Sequence, residues 1–295
     1  MTNIRLLNRK DIDTSMWNKL IAKSKNADIY GLSWYLDAVT DCSWSALVMD
    51  GYSAAIPLYI KKKWGMQYIT QAYLCQYCKI YSESEITSDL VSQFLNAIPG
   101  RMIKTEFNFC QTVPEHFLQR YSVTAKYNQS LSLNARYDDV RKSYNRSTIR
   151  NIKKSQNLDV EISYNNPPLE VYDFIVRHDS SGWMKIHEES GKQLVISAYE
   201  KTPTAFQTAL SGEEIIGAGI FFFDRNRIYW LMSAISKAGR ANSIMFRMLD
   251  DFIRQYTGKG YTLDFCGSSI PDVAQRNRGF GADTSEYYHL KKKLF

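Results

Sequence analysis

Apolar and polar residues alternate in short runs along most of this chain, and turn residues separate the runs. In the second half, residues 204–210 and 214–223 read as two strands joined at Ser211-Gly212-Glu213, and 227–235 as a third after Asp224-Arg225-Asn226. Residues 240–256 then switch to helical spacing, with Ile244, Phe246, Met248, Leu249, Phe252 and Ile253 apolar. A strand over 261–265, a short helix opened by Pro271 and a closing strand over 285–290 complete the series.

The first half predicts the same order. Residues 45–49 and 53–60 flank the Asp50-Gly51 turn, 67–70 form the third strand and 86–97 the helix. A strand over 102–107, a short helix from Pro114 and a closing strand over 121–133 follow. Gly51 matches Gly212, Glu106 matches Asp264 and Pro114 matches Pro271, at offsets of 161, 158 and 157. Each copy has a helical preface, at 10–24 and 30–40 in the first and at 137–156 and 168–190 in the second. The expected fold is α+β: a mainly antiparallel twisted sheet flanked by helices, built twice. The expected domains are residues 1–136 and 137–295, with Pro167-Pro168 a break inside the second.

Composition narrows the class. A chain of 295 residues with 44% hydrophobic content suits two domains with proper cores. The 20 tyrosines suit clefts and half-buried strands. No run approaches the roughly 18 apolar residues of a membrane helix. The start, MTNIRLLNRKDID, has no apolar stretch and cleavage site of a secretory signal, so the cytoplasm is the expected location. The cysteines Cys42, Cys75, Cys78, Cys110 and Cys266 are odd in number, and the Cys75–Cys78 pair lacks two further ligands at metal-binding spacing, so reduced thiols and no metal are expected. A net charge of +7 favours anionic partners such as phosphates, nucleotides, RNA or a membrane surface.

Two segments concentrate that charge. VRKSYNRSTIRNIKKS (140–155) holds six basic residues and no acid, and Lys142, Arg146, Arg150 and Lys154 stand four apart on one helical stripe. Like charges at this spacing weaken a helix by a few tenths of a kcal/mol per pair. The stripe therefore fits an anion or acidic surface, or else is a solvated face. SKAGRA (236–241) lies where the third strand meets the main helix. Backbone N–H groups and the helix dipole at such a start attract phosphate, and Lys237 and Arg240 would add charge. The other reading makes Gly239 a flexible turn and the two cations solvated caps. The equivalent stretch of the first half, 71–89, is longer, has no glycine and carries Glu83, Glu85 and Asp89.

Taken in order, RSTIRNIKKS (146–155), GAGIFFFDRNRIYWLMSAIS (217–236), KAGRAN (237–242), LDFCGSSIPDV (263–273) and RGFGADTSEYYHL (278–290) resemble the GNAT superfamily of acyltransferases. With SWYLDAV (33–39) and AAIPLYIKKKWGMQYI (54–69), the duplication is similar to the FemABX-type aminoacyl and acyl transferases and the BioF2-like acetyltransferase group. The resemblance implies that the strand ending at Asp264 splays from the third strand, leaving a notch for an acyl donor. It implies acyl-CoA or aminoacyl-tRNA as co-substrate, no permanently bound cofactor, and direct attack by an amine. The family's Gln/Arg-x-x-Gly-x-Gly/Ala loop is matched at Ser236–Ala241 with Ser in first place, making Lys237, Gly239, Arg240 and Ala241 donor contacts. A bulge in the third strand would free a polarising N–H near Ser233, Ala234 and Ile235. The first half, lacking such a loop, is expected to have no donor site.

Further roles follow from the same resemblance. Arg146, Arg150 and Trp183 are candidates for anion or acceptor contact. Asp264 is a candidate general base, or alternatively a turn cap accepting from the Gly267 and Ser268 amides. His178, followed by Asp179, is a second candidate base, and Tyr288 or Tyr287 would return a proton to the leaving group. The acceptor is expected to be an amine of a small molecule or cell-envelope precursor, with tRNA a candidate partner and DNA not. Residues 157–203 leave no room for the long coiled arm often found in the tandem aminoacyl transferases, which favours a CoA donor or an unusual acceptor. Two other classes stay open: a binding module of this fold without catalysis, and an RNA- or membrane-surface protein using residues 141–154 and Lys291-Lys292-Lys293. The sequence does not set the oligomeric state.

Overall fold

The computed structural model describes residues 3–267 and 270–293 and divides into two compact units. The first is Met1–Lys126 with Glu286–Phe295, and the second is Tyr127–Ser285. In chain order the first half contains β1 (Ile4–Asn8), α1 (Thr14–Lys23), α2 (Ser33–Thr40), β2 (Ser45–Met49), β3 (Ala54–Lys63) and β4 (Met66–Thr70). It continues with β5 (Tyr81–Ser82), α3 (Ser88–Ala97), β6 (Lys104–Phe109) and β7 (Tyr121–Ser132). The second half contains α4 (Tyr137–Lys142), α5 (Arg146–Gln156), β8 (Glu161–Ser163), α6 (Pro168–His178), α7 (Trp183–Ile186) and α8 (Glu188–Lys201). Then come β9 (Thr204–Ser211), β10 (Glu214–Asp224), β11 (Arg227–Ile235), α9 (Lys237–Ala241), α10 (Ile244–Tyr256), β12 (Thr262–Asp264), α11 (Pro271–Gly279) and β13 (Asp283–Lys292).

Each unit carries a sheet of the same topology. In the first the order is β1-β2-β3-β4-β6-β13, antiparallel except for the parallel pair β4–β6. In the second it is β8-β9-β10-β11-β12-β7, antiparallel except for the parallel pair β11–β12. The duplication read from the landmark residues is therefore present strand for strand. The closing strands differ from expectation. Residues 130–132 of β7 pair with β12 in the second unit, and residues 288–291 of β13 pair with β6 in the first. The units consequently divide at 126/127 and 285/286 rather than at 136/137.

Local sequence accounts for the elements around the second sheet. α10 buries Ile244, Met245, Met248, Leu249, Phe252 and Ile253, an amphipathic stripe laid on the strands. α6 starts on Pro168, whose fixed φ and missing N–H suit a first helical position. Three predicted helices are interrupted. The 137–156 segment divides into α4 and α5 because Asn145 caps α5 at the Thr148 amide and donates its own N–H to Gly279. The 240–256 segment starts earlier, as α9, and breaks at Ser243, which has φ 57°. The 168–190 segment becomes α6, α7 and the start of α8, with Gly182 at φ 70° ahead of α7. Among the described residues, no helix is long and apolar enough to cross a membrane.

Candidate active site

The second unit holds an opening in its sheet. Parallel pairing of β11 with β12 covers Arg227↔Thr262, Ile228↔Leu263 and Tyr229↔Asp264, and stops there. β11 runs on to Ile235, paired only with β10, while the chain after Asp264 turns away through Cys266 (φ 55°) and Gly267 (φ 90°). Among the described residues, the edge of β11 from Trp230 onward that faced β12 has no strand partner. The register of β10 against β11 slips between Ile220 and Phe221, which makes Leu231 the extra, bulged residue. The bulge thus lies two residues before the expected Ser233–Ile235; those three positions are in regular pairing with Gly219, Ala218 and Gly217.

A buried polar network fixes the turn beside this notch. Asp264 is 1% exposed, and its carboxylate accepts from Arg227 Nη1 (2.7 Å), Asn128 Nδ2 (2.9 Å) and the Cys266 amide (2.8 Å). Asn128 Oδ1 in turn accepts from the Gly267 amide at 2.9 Å. Asp264 is thereby a turn cap with its oxygens occupied, not an available base. The cap differs from the expected one: Cys266 takes the place of Gly267, and Ser268 lies outside the described residues. Gln129, next along β7, donates to the Ala274 carbonyl and accepts from Asn277 Nδ2, tying α11 to the same strand.

Sequence reasoning missed Arg276, which this network orients. Its Nε and Nη2 donate to Asn277 Oδ1 at 3.2 and 3.1 Å, and its guanidinium lies 4.8 Å above the ring of Trp230, the first β11 residue beyond the paired stretch. Burial lowers its pKa to about 10, so the charge persists at neutral pH in a poorly solvated place. No pattern in QRNRG marks this arginine; its position emerges only once α11 and β11 meet.

The segment after β11 behaves differently from a free phosphate loop. Ser236 caps α9, its Oγ accepting from the Gly239 amide at 3.1 Å, so that one expected donor is already engaged. Gly239 is buried, and a Cβ there would lie 2.3 Å from the Ile216 carbonyl oxygen; close approach to β10, not turn flexibility, demands glycine. Lys237, Arg240 and Ala241 remain exposed. Lys237, Arg240 and Ile235 line an open cavity of about 290 Å³ together with Arg177, His178, Asp179 and Ser180 from the end of α6. His178 is exposed there, its ring 4.3 Å from that of Phe174. Asp179 is engaged elsewhere: burial opposes its charged form, but bonds from Ser181 and the Met184 amide outweigh this and hold its pKa low.

The remaining candidates are dispersed. Arg146 and Arg150 are exposed on α5, whose buried face is Thr148, Ile152 and Ser155. Lys142 leaves the predicted stripe, since it is on α4 and pairs with Asp139 at 2.7 Å, and Lys154 donates to the Ala241 carbonyl at 2.7 Å. The Phe280-Gly281 turn holds α5 in place. Phe280 is fully buried against Tyr144 and Phe246, and a Cβ on Gly279 or Gly281 would meet Thr148 or Ser143. Trp183, on α7, is 53% exposed with its ring 4.8 Å from His187. Tyr288 belongs to the first unit, packed against its core, and Tyr287 is buried against Tyr77. Among the described residues, no group of three or more His, Cys, Asp or Glu is placed to hold a metal.

In the first unit the corresponding gap is filled by its own chain. β4 pairs with β6 only at Tyr68↔Lys104 and Ile69↔Thr105. Residues 71–78 then follow β6: Gln71 Oε1 accepts from the Asn108 amide (2.8 Å), Cys78 N–H donates to Asn108 O (2.8 Å), and Cys110 N–H donates to Cys78 O (3.0 Å).

The sequence matches no protein-family model, and no curated protein is similar to it. Solved structures do share its fold. FemX superposes with a TM-score of 0.66 at 11% identity, covering 94% of this chain and 96% of FemX. L-PGS from Bacillus licheniformis gives 0.57 at 11%, covering 95% and 92%. A tandem GNAT protein from the clavulanic acid biosynthesis pathway gives 0.55 at 7%, covering 99% and 98%. The fold is thus a tandem GNAT-like fold, as the repeated motifs imply.

Proposed function

We propose that this chain is an N-acyltransferase, which moves an acyl group from acyl-CoA or aminoacyl-tRNA to an amine acceptor by direct attack. One observation carries the reading: β12 parts from β11 at Asp264 while β11 continues to Ile235. A carbonyl laid along that free edge could accept a backbone N–H. A single positioned donor of this kind contributes about 10²–10³ in rate in acyl transfer. The cavity formed by Arg177, Lys237 and Arg240 supplies positive charge for a phosphate-bearing carrier.

His178 is the candidate general base, because it lines that cavity and Asp264 is fully engaged in the turn. The acceptor is an amine of a small metabolite or cell-envelope precursor, and positioning supplies the rest of the rate. Residues 157–203 fold as β8 and α6–α8, with α6 packed on β10 and β11, rather than as a projecting arm. That supports CoA over tRNA as carrier.

Calorimetric titration with acetyl-CoA and CoA tests the reading. Reversing the two exposed cations, in a Lys237→Glu, Arg240→Glu double variant, is expected to weaken binding at least about tenfold. These positions are cleaner probes than Gly239, where any side chain strikes β10. No binding to the native chain at high micromolar CoA, with retention on an RNA column, would transfer the assignment to an RNA-binding protein.

A further inference from the structure

We propose that Arg276, stacked on Trp230 at the closed end of the notch, is a binding subsite for an oxyanion carried by the acyl donor: a carboxylate on the acyl group or a phosphate of the carrier. The inference rests on the acyltransferase reading and narrows its substrate class.

Three observations support it. First, Arg276 is held by design rather than by chance contact. Gln129 and Asn277 are fully buried, Gln129 fixes Asn277, and Asn277 Oδ1 receives two guanidinium nitrogens of Arg276. Two buried amides therefore aim one cation. Second, that cation forms no ion pair with a carboxylate among the described residues, neither with Asp272, four residues before it on α11, nor with Asp264, which is taken by Arg227, Asn128 and Cys266. An indole face compensates a buried charge only weakly, and desolvation without a counter-ion pulls the pKa down to about 10. Third, Arg276 keeps partial solvent access although its charge is desolvated, so a small anion could still reach it. The indole beneath it also has an unanswered donor, since Trp230 is 5% exposed and its Nε1 has no acceptor among the described residues.

A guanidinium held in this way retains paired N–H donors that match the two oxygens of a carboxylate or phosphate. Its location beside the first unpaired residue of β11 places the anion at the donor rather than at a remote surface. A neutral acetyl group would leave the cation uncompensated. An acyl group ending in a carboxylate would complete it.

The test is calorimetric titration of the full chain and of Arg276→Met with succinyl-CoA, acetyl-CoA and the dephospho form of acetyl-CoA. If the anion is on the acyl group, succinyl-CoA binds the native chain at least about tenfold tighter than acetyl-CoA, and Arg276→Met removes the difference. If it is a carrier phosphate, the dephospho form binds weakest, and Arg276→Met removes that difference instead. Should the Met variant fail to fold, Arg276→Lys, which keeps the charge and loses the paired geometry, is expected to reduce the preference by several fold. Affinity ratios unchanged by either variant would overturn the subsite alone and leave Arg276 a packing residue. Absence of binding by any of the three esters to the native chain would overturn the subsite and the donor reading together.

Discussion

The two sheets share a strand order but treat the place after their third strand in opposite ways. In the second unit, β11 outruns β12 by residues 230–235, and the chain leaves directly through Ser236 into α9. In the first, β4 ends at Thr70 and residues 71–78 bind along β6 through Gln71, Cys78 and Asn108. The same topology thus yields an open edge in one copy and a closed one in the other. What decides it is the connection: a six-residue Ser-Lys-Ala-Gly-Arg-Ala step that packs against β10, or a long glycine-free segment that turns back and is tied to β6 at Gln71, Gln76 and Cys78. A duplicated fold can therefore keep its architecture twice and its cleft once.

The largest expected effect breaks the turn at the open edge. Asp264→Ala leaves the Asn128 amide, the Cys266 N–H and the Arg227 guanidinium without their acceptor, at a cost of about 3 kcal/mol in urea unfolding. The matching residue of the first copy, Glu106, is half-exposed among Lys104 and His289. Glu106→Ala should cost less than about 1 kcal/mol. Lys104 holds the Glu106 pKa below the usual range, so its small contribution is present near neutrality and lost as the pH falls through that lowered value. Equal costs for the two substitutions would show that Asp264, at the end of β12, is no more firmly built in than Glu106, in the middle of β6.

Gly239→Ala comes next, at about 1–3 kcal/mol, because its Cβ would press on the Ile216 carbonyl. Gly100→Ala, where a Cβ meets nothing, serves as the near-neutral control. A neutral Gly239→Ala would mean that the connection does not pack on β10 as tightly as described. It would also remove the reason for the short route into α9.

Much of this was legible in the chain, and the illegible parts have identifiable causes. The alternation in 204–235, the apolar stripe of 244–253 and the paired glycines and prolines gave the strand order of both copies. The exchange of β7 and β13 was hidden, because a closing strand's pattern states that it pairs but not with which of two equivalent neighbours. Asp264 was found as a carboxylate at a strand end, but its partners Asn128 and Arg227 are 136 and 37 residues away, beyond any local signal. The loop motif marks Gly239 but leaves turn flexibility and phosphate contact equally open, because the carbonyl it avoids comes from a different strand. Arg276 is illegible in the sequence because a single arginine on a short polar helix looks like surface until its indole neighbour is known.

The smallest effect uses cysteines as reporters of the two edges. Cys78 lies within the segment that closes the first unit's gap, while Cys266 sits half-buried in the turn at the second unit's notch. Burial, aided by the charge of Asp28, raises the Cys78 pKa from 9.0 to about 12. At pH 8 the thiolate fraction is then lower by about a thousandfold than for an ordinary thiol, and access is blocked as well. Native protein treated with a thiol reagent and mapped by mass spectrometry should be labelled at exposed Cys42 and, more slowly, at Cys266, with Cys75 and Cys78 reacting only on unfolding. Labelling of Cys78 at the rate of Cys266 would mean that residues 71–78 leave β6 readily. The first copy would then offer an opening comparable to the second, and the asymmetry on which the single-site reading depends would be lost.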